Sequence, residues 1–180
     1  MRVGIIGLGN MGGRMAKRLL EQDVEVGVFD INKDFIQTAV KLGAEEAESP
    51  ADLALKYEYV ITVLPNVYIV KETLLGPEGL LKTFRPENLL IEMTTSIPSV
   101  TKELSNILKN KGLRMIDAPV SGGVKKAEDG LLSIMVGGEV ADFEEVKPLL
   151  SCIGQNLFHV GDAGAGHTIK ALNNMISATT

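Results

Sequence analysis

Val-Gly-Ile-Ile-Gly-Leu-Gly-Asn-Met-Gly-Gly-Arg-Met-Ala-Lys-Arg-Leu-Leu, residues 3–20, is the stretch that decides the fold. Val3 to Ile6 is a short β-branched run, the pattern of a strand buried on both faces. Gly7, Gly9 and Gly12 follow at G-x-G-x-x-G spacing, and Met11, Met15 and Leu19 then recur at the period of an amphipathic helix. Gly7 allows the tight turn out of the strand. Gly9, lacking Cβ, lets a pyrophosphate approach the backbone, and Gly12 lets helix and strand pack closely. The helix aims its unpaired N–H groups and positive dipole end at the same place. A second apolar strand, Val24 to Phe29, ends at Asp30, 18 residues after Gly12. A dinucleotide-binding βαβ unit places there the carboxylate that binds a ribose 2′-hydroxyl. Such a carboxylate repels a 2′-phosphate and favours NAD over NADP, while Lys33 nearby offers a counter-charge. The alternative is a structural βαβ unit in which Asp30 caps the next helix.

Further strands and helices alternate outward from this unit. Asn32 caps a helix to about Leu42, stopped by Gly43, and Ser49-Pro50-Ala51-Asp52 opens another. Tyr59 to Leu64 reads as a strand ending at Pro65-Asn66, before a helix containing Val67, Val70 and Leu74 that breaks at Gly76-Pro77-Glu78-Gly79. Leu89 to Glu92 is a strand, Met93 to Ser96 its loop, and Pro98 starts a helix reaching Lys111. Leu113 to Ile116, Leu132 to Val136 and Gln155 to Val160 are the remaining strands, with Val140 to Leu150 a helix between the last two. This order predicts a Rossmann-type, doubly wound α/β fold with a mainly parallel sheet. Ligands in such sheets bind beyond the carboxyl ends of strands. The loops of interest are therefore Gly7 to Gly12, Asp30, Leu64-Pro65-Asn66, Thr94-Thr95 and Ser121-Gly122-Gly123, all expected to face one crevice.

The 180 residues are 45% apolar, enough for a full core, and the net charge of −5 argues against a nucleic-acid partner. One cysteine, Cys152, excludes an intrachain disulfide framework and fits a small core residue in a reducing compartment. His159 and His167 make no metal motif, so no metal is expected. No segment has the length of a membrane span or the pattern of a signal peptide, and a cytoplasmic or organelle-matrix location is expected.

Residues 161–166, Gly-Asp-Ala-Gly-Ala-Gly, read as a flexible joint, after which Ile169, Leu172, Met175 and Ile176 mark an apolar helix stripe. That stripe predicts a further element to cover it. The expected division is a nucleotide-binding domain over 1–163 and the start of an interdomain helix over 164–180, with a second domain beyond; the alternative is a short protein that packs this helix on a twin chain. Lys170 and Asn174 lie one turn apart on one helix face. A lysine with a lowered pKa can accept the hydroxyl proton of an alcohol while hydride leaves its carbon, and an asparagine can hold substrate oxygens without adding charge. Solvated surface side chains explain the same spacing. Ser121-Gly122-Gly123 leaves backbone N–H groups free to cradle a carboxylate, or forms a plain turn. Asp117 reads as a strand-end turn residue rather than a catalyst.

The motifs together carry a resemblance. Residues 7–12 (Gly-Leu-Gly-Asn-Met-Gly), 64–66 (Leu-Pro-Asn), 117–123 (Asp-Ala-Pro-Val-Ser-Gly-Gly), 134–138 (Ile-Met-Val-Gly-Gly) and the Gly-Ala-Gly-x-x-x-Lys-x-x-Asn-Asn pattern of 164–174 resemble the N-terminal part of the β-hydroxyacid dehydrogenases. That group includes 3-hydroxyisobutyrate dehydrogenase, tartronate semialdehyde reductase and the glyoxylate/succinic semialdehyde reductases. The resemblance implies that Lys170 is the catalytic lysine. It implies that Ser121, Gly122, Gly123 and Asn174 bind substrate, a small 3-hydroxy acid or its semialdehyde. Gly7, Leu8, Gly9, Asn10, Met11, Gly12, Asp30, Leu64, Pro65, Asn66 and Thr95 then match the cofactor side, for NAD with NADP possible. It also implies an all-helical second domain, an active site between domains, and a homo-oligomer.

Some residues depart from the family pattern. Thr94-Thr95-Ser96-Ile97-Pro98 stands where Ser-Thr-Ile-x-Pro is usual, and Gly130-Leu131-Leu132-Ser133 replaces Gly-Thr-Leu-Thr. Asn173 stands where 6-phosphogluconate dehydrogenase-like enzymes carry histidine, and Lys170 is a residue that imine reductases usually lack. Two function classes follow: an NAD(P)-dependent oxidoreductase, or a non-catalytic dinucleotide-binding module.

Overall fold

The computed structural model describes residues 1–178. Its elements are, in order, β1 (Arg2–Ile6), α1 (Gly12–Leu20), β2 (Glu25–Phe29), α2 (Lys33–Lys41), β3 (Glu45–Glu46), α3 (Pro50–Lys56), β4 (Tyr59–Thr62), α4 (Val67–Leu75), β5 (Leu89–Glu92) and α5 (Pro98–Asn110). They continue with β6 (Arg114–Asp117), β7 (Val120–Ser121), α6 (Gly123–Asp129), β8 (Leu132–Gly137), α7 (Val140–Ser151), β9 (Gly154–Gly161) and α8 (Ala165–Ala178).

Successive strand residues point to opposite faces, and here both faces are apolar. Val3 and Ile5 of β1, Ile61 of β4, Ile91 of β5 and Ile116 of β6 pack with Met15 and Leu19 of α1 and with Val146 and Leu149 of α7. Their neighbours Ile6, Val60, Leu90 and Met115 pack on the other face with Leu53 of α3, Val70 and Leu74 of α4, and Leu104 and Leu108 of α5. The sheet is thus a middle layer between two sets of helices. It has nine strands in the order β3-β2-β1-β4-β5-β6-β8-β7, with β9 pairing β8. The first six strands are mutually parallel.

Three local readings differ from the sequence expectation. β8 runs antiparallel to β6 and β7, because the chain continues past β6 through the short strand Val120–Ser121 and reverses only across α6. β4 stops at Thr62: the Leu64 N–H leaves the ladder and donates to Thr94 Oγ1 at 3.0 Å. The glycine-rich stretch after β9 is held rather than loose, since the Gly164 N–H donates to the buried Asp117 Oδ1 at 2.7 Å. The caps Asn32 and Ser49 agree with the sequence, and Asn66 adds a third that the sequence reading did not assign. Asn32, Ser49 and Asn66 each accept backbone N–H groups at the starts of α2, α3 and α4. No helix among the described residues is long and apolar enough to cross a membrane.

Candidate functional site

The strand order reverses between β1 and β4, and such a switch point opens a crevice at the carboxyl edge of the sheet. A cleft of about 540 Å³ lies there. Its floor is Gly7, Gly9, Asn10, Met11 and Gly12 after β1; Asp30 and Ile31 follow β2, and Leu64 and Pro65 follow β4. Gly7 has φ of 94°, a left-handed value, and its N–H donates to the Phe29 carbonyl at 3.0 Å. A Cβ on Gly12 would collide with the Gly7 carbonyl, so the loop and the first turn of α1 touch backbone to backbone. At Gly9 a Cβ would meet nothing within 4 Å. The cleft floor is therefore open at Gly9 and closed at Gly12.

Asp30 binds both sides of the cleft mouth. Its Oδ2 accepts the Leu8 N–H at 2.6 Å and its Oδ1 accepts the Asn32 N–H at 2.8 Å. The carboxylate thus holds the glycine loop against the end of β2, and the helix cap falls to Asn32 instead. Lys33 is engaged with Glu46 at 2.9 Å. Leu8 is buried and contributes its backbone; Asn66 is turned to its helix, accepting from the Tyr68 and Ile69 N–H groups. Phe35, Ile69 and Thr73 also line the cleft, on two helices that approach only in the folded chain.

A second group of residues lies past β5 and β6, outside that cleft. Thr95 is exposed, and its neighbour Thr94 is buried with its carbonyl toward α8. Gly122 and Gly123 have φ of 134° and 71°, so the turn after β7 needs two glycines in sequence. Ser121 Oγ accepts from Asn173 Nδ2 of α8 at 3.3 Å, while Asn174 is exposed. Lys170 is half-buried with no hydrogen-bond or ion-pair partner among the described residues, and burial pushes its amine below the ordinary lysine value.

Beneath Lys170 lies a buried polar cluster of Glu92, Asp117 and His167. Glu92 Oε1 accepts from the Thr94 N–H at 2.7 Å and from Thr62 Oγ1 at 3.4 Å, and burial pushes its carboxyl up to about 7 against those bonds. Burial likewise raises Asp117 and lowers His167, although each favours charge on the other. The cluster is not arranged to hold a metal ion. In the sequence its one visible sign is an acid closing each of the two strands β5 and β6.

Residues 2–161 match the family described as the NAD binding domain of 6-phosphogluconate dehydrogenase. The chain is 40% identical over 176 residues to 2-(hydroxymethyl)glutarate dehydrogenase of Eubacterium barkeri, covering 98% of this chain and 58% of that protein. It is 41% identical over 176 residues to the mitochondrial 3-hydroxyisobutyrate dehydrogenase of Rattus norvegicus, covering 98% and 52%. The solved structure of Mycobacterium tuberculosis 3-hydroxyisobutyrate dehydrogenase with L-serine superposes with a TM-score of 0.93 at 32% identity, over 98% of this chain and 60% of that one. The chain thus spans little more than half the length of the curated relatives it matches.

Proposed function

Because the chain belongs to the β-hydroxyacid dehydrogenase family and carries its nucleotide-binding part, we propose that the protein interconverts a small 3-hydroxy acid and its semialdehyde, with Lys170 as general acid/base. Residues 1–163 serve as the nucleotide-binding domain, and α8 begins the helix that leads from it; the last two residues of the expected 164–180 segment lie outside the described residues. A dinucleotide held at the glycine loop and Asp30 would supply the redox chemistry, NAD+ as hydride acceptor in oxidation and NADH as hydride donor in reduction. The residues present fit a dinucleotide: the backbone at Gly9 is open to approach, Asp30 brings to the cleft mouth a carboxylate suited to a ribose hydroxyl, and Ile31, Phe35 and Ile69 offer an apolar wall. Lys33 is paired with Glu46, and among the described residues no lysine or arginine lines the cleft, which supports NAD over NADP. The lone cysteine, Cys152, fits a reducing compartment such as the cytoplasm.

Neutral Lys170 accepts the substrate hydroxyl proton at Nζ in oxidation and returns it in reduction. Its lowered pKa raises the neutral fraction near pH 7. Ser121 Oγ and the N–H groups of Gly122 and Gly123 hold the carboxylate, Asn173 fixes Ser121, and Asn174 holds a substrate oxygen. The observation that carries this reading is the pair of bonds from α8. His167 Nε2 reaches the Thr94 carbonyl at 2.6 Å and Asn173 reaches Ser121, so the helix bearing Lys170 is tied to the loop after β5, expected on the cofactor side, and to the expected substrate loop.

The test is Lys170→Ala in the complete gene product, assayed with NAD against a panel that includes 3-hydroxyisobutyrate and 2-(hydroxymethyl)glutarate. Turnover should fall roughly 10²–10⁴-fold with NADH binding retained. Turnover within tenfold of the unaltered protein overturns the role of Lys170. NADH binding without turnover of any substrate by the unaltered protein leaves the non-catalytic module.

A further inference from the structure

His167 sits three residues before Lys170, just under one helical turn. Its ring is almost fully enclosed, at 1% exposure, and every polar atom of it is engaged. Nε2 lies 2.6 Å from the Thr94 carbonyl and 3.4 Å from Glu92 Oε2. A carbonyl only accepts, so Nε2 carries the proton. Nδ1 lies 2.9 Å from Thr101 Oγ1 of α5 and 3.4 Å from Asp117 Oδ2. In the neutral ring favoured by burial, Nδ1 therefore accepts from the Thr101 hydroxyl.

The start of α8 has the same origin. Gly164 precedes the helix and has no side chain to cap it. Asp117, 47 residues earlier, takes that part: Oδ2 accepts the His167 N–H at 2.9 Å and Oδ1 the Gly164 N–H at 2.7 Å. A Cβ on Gly166 would collide with the Met135 carbonyl of β8, so the first turn lies directly on the sheet edge. Thr94, which accepts at its carbonyl from His167, also accepts at Oγ1 from the Leu64 N–H of the cofactor cleft. One continuous set of bonds therefore runs from the cleft wall through Thr94 to α8. The charged groups facing this cluster are Glu92 from β5 and Asp117 from β6, with Lys102 of α5 lying along Gly164.

We propose that His167 is a positioning residue: it locks the first turn of α8 to the ends of β5 and β6, and so sets the depth at which Lys170 sits relative to the cofactor cleft. A buried ion cluster is seldom a gain in stability over apolar packing. Its use here is geometric, because a ring with two opposed nitrogens fixes the helix in rotation as well as in distance. The proposal rests on the role of Lys170 given above, and its test reads the lysine directly.

The experiment compares His167→Gln, whose amide N–H reaches the Thr94 carbonyl, with His167→Asn, which is too short to do so; Thr101→Val is a milder probe of the Nδ1 side. Each is made in the complete gene product. NADH affinity, kcat against pH and the pKa of the Lys170 amine, by NMR after ¹³C-methylation, are measured. His167→Asn is expected to lower kcat at least tenfold, to keep NADH affinity within threefold, and to move the Lys170 pKa up toward the ordinary lysine value as the amine is resolvated. The limb of the pH–kcat profile moves with it. His167→Gln is expected to stay within threefold of the parent kcat, and Thr101→Val to show the same upward shift at smaller size. A Lys170 pKa and a pH profile unchanged in His167→Asn and Thr101→Val, with only the melting temperature lowered, overturn the proposal. If Lys170→Ala keeps its turnover, the catalytic reading has failed. The amine pKa then still decides whether His167 sets the depth of Lys170.

Discussion

Gly9 and Gly12 lie in one loop, yet the structure gives a substitution at each the opposite consequence. Gly12→Ala puts a methyl group into the Gly7 carbonyl, a backbone atom that moves only if α1 moves. Overpacking of this kind costs about 1–3 kcal/mol. For a chain of this size about 2–4 °C of melting temperature goes with each kcal/mol, so a fall of about 2–12 °C is expected. Gly9→Ala meets nothing within 4 Å, and Gly9 is not among the glycines of positive φ. Alanine there removes unfolded-state freedom and changes stability by less than about 1 kcal/mol, in the favourable direction. The methyl group instead stands where the pyrophosphate must approach the backbone. A tenfold loss of NADH affinity corresponds to about 1.4 kcal/mol, and at least that is expected. Thermal unfolding by circular dichroism and NADH fluorescence titration measure the two effects separately. Gly9→Ala that binds NADH as tightly as the parent refutes the assignment of the open floor to the dinucleotide. Gly12→Ala with an unchanged melting temperature refutes the backbone contact.

Other consequences are equally direct. Glu92 is raised by burial from 4.5 to about 7, so the folded state holds its proton more tightly than the unfolded state. Its stabilising contribution is full below about 4.5 and is lost as pH rises toward 7, by at most about 3 kcal/mol at 1.36 kcal/mol per unit. Calorimetry of the parent and Glu92→Gln at pH 5 and 8 should show the parent losing more stability on going to pH 8; parallel curves sink the idea. Asp30→Ala should narrow the ratio of kcat/KM for NAD over NADP at least tenfold, and a parent protein indifferent to the two cofactors contradicts the premise. Asn66→Ala removes an acceptor shared by two N–H groups at the start of α4 and should cost about 1 kcal/mol, seen as a lowered urea midpoint at constant slope.

What the sequence disclosed follows from the range of the interactions concerned. The β1–loop–α1 unit, the caps Asn32 and Ser49, and the doubly buried strands are governed by residues within a turn or two of each other, so spacing and type suffice to read them. The reversed direction of β8 was not readable, because Leu132 to Gly137 has the same apolar pattern in either direction and only its pairing with Val120 and Ser121 decides. The same limit applied to Asp117 and to the glycine-rich stretch before α8. Each reads locally as a turn, and the 47-residue separation between Asp117 and Gly164 hides that the acid caps the helix for want of a side chain at Gly164. The resemblance to a family singles out Lys170, but the residues of the cluster beside it, Glu92, Thr94, Asp117 and His167, come from two strand ends and a helix start that only the fold brings together. The site is thus divided between two kinds of information. Residues that touch a ligand recur in short motifs, since a ligand presents the same atoms each time. Those that hold them in place are chosen by the particular sheet edge, and are legible once the strand order is known.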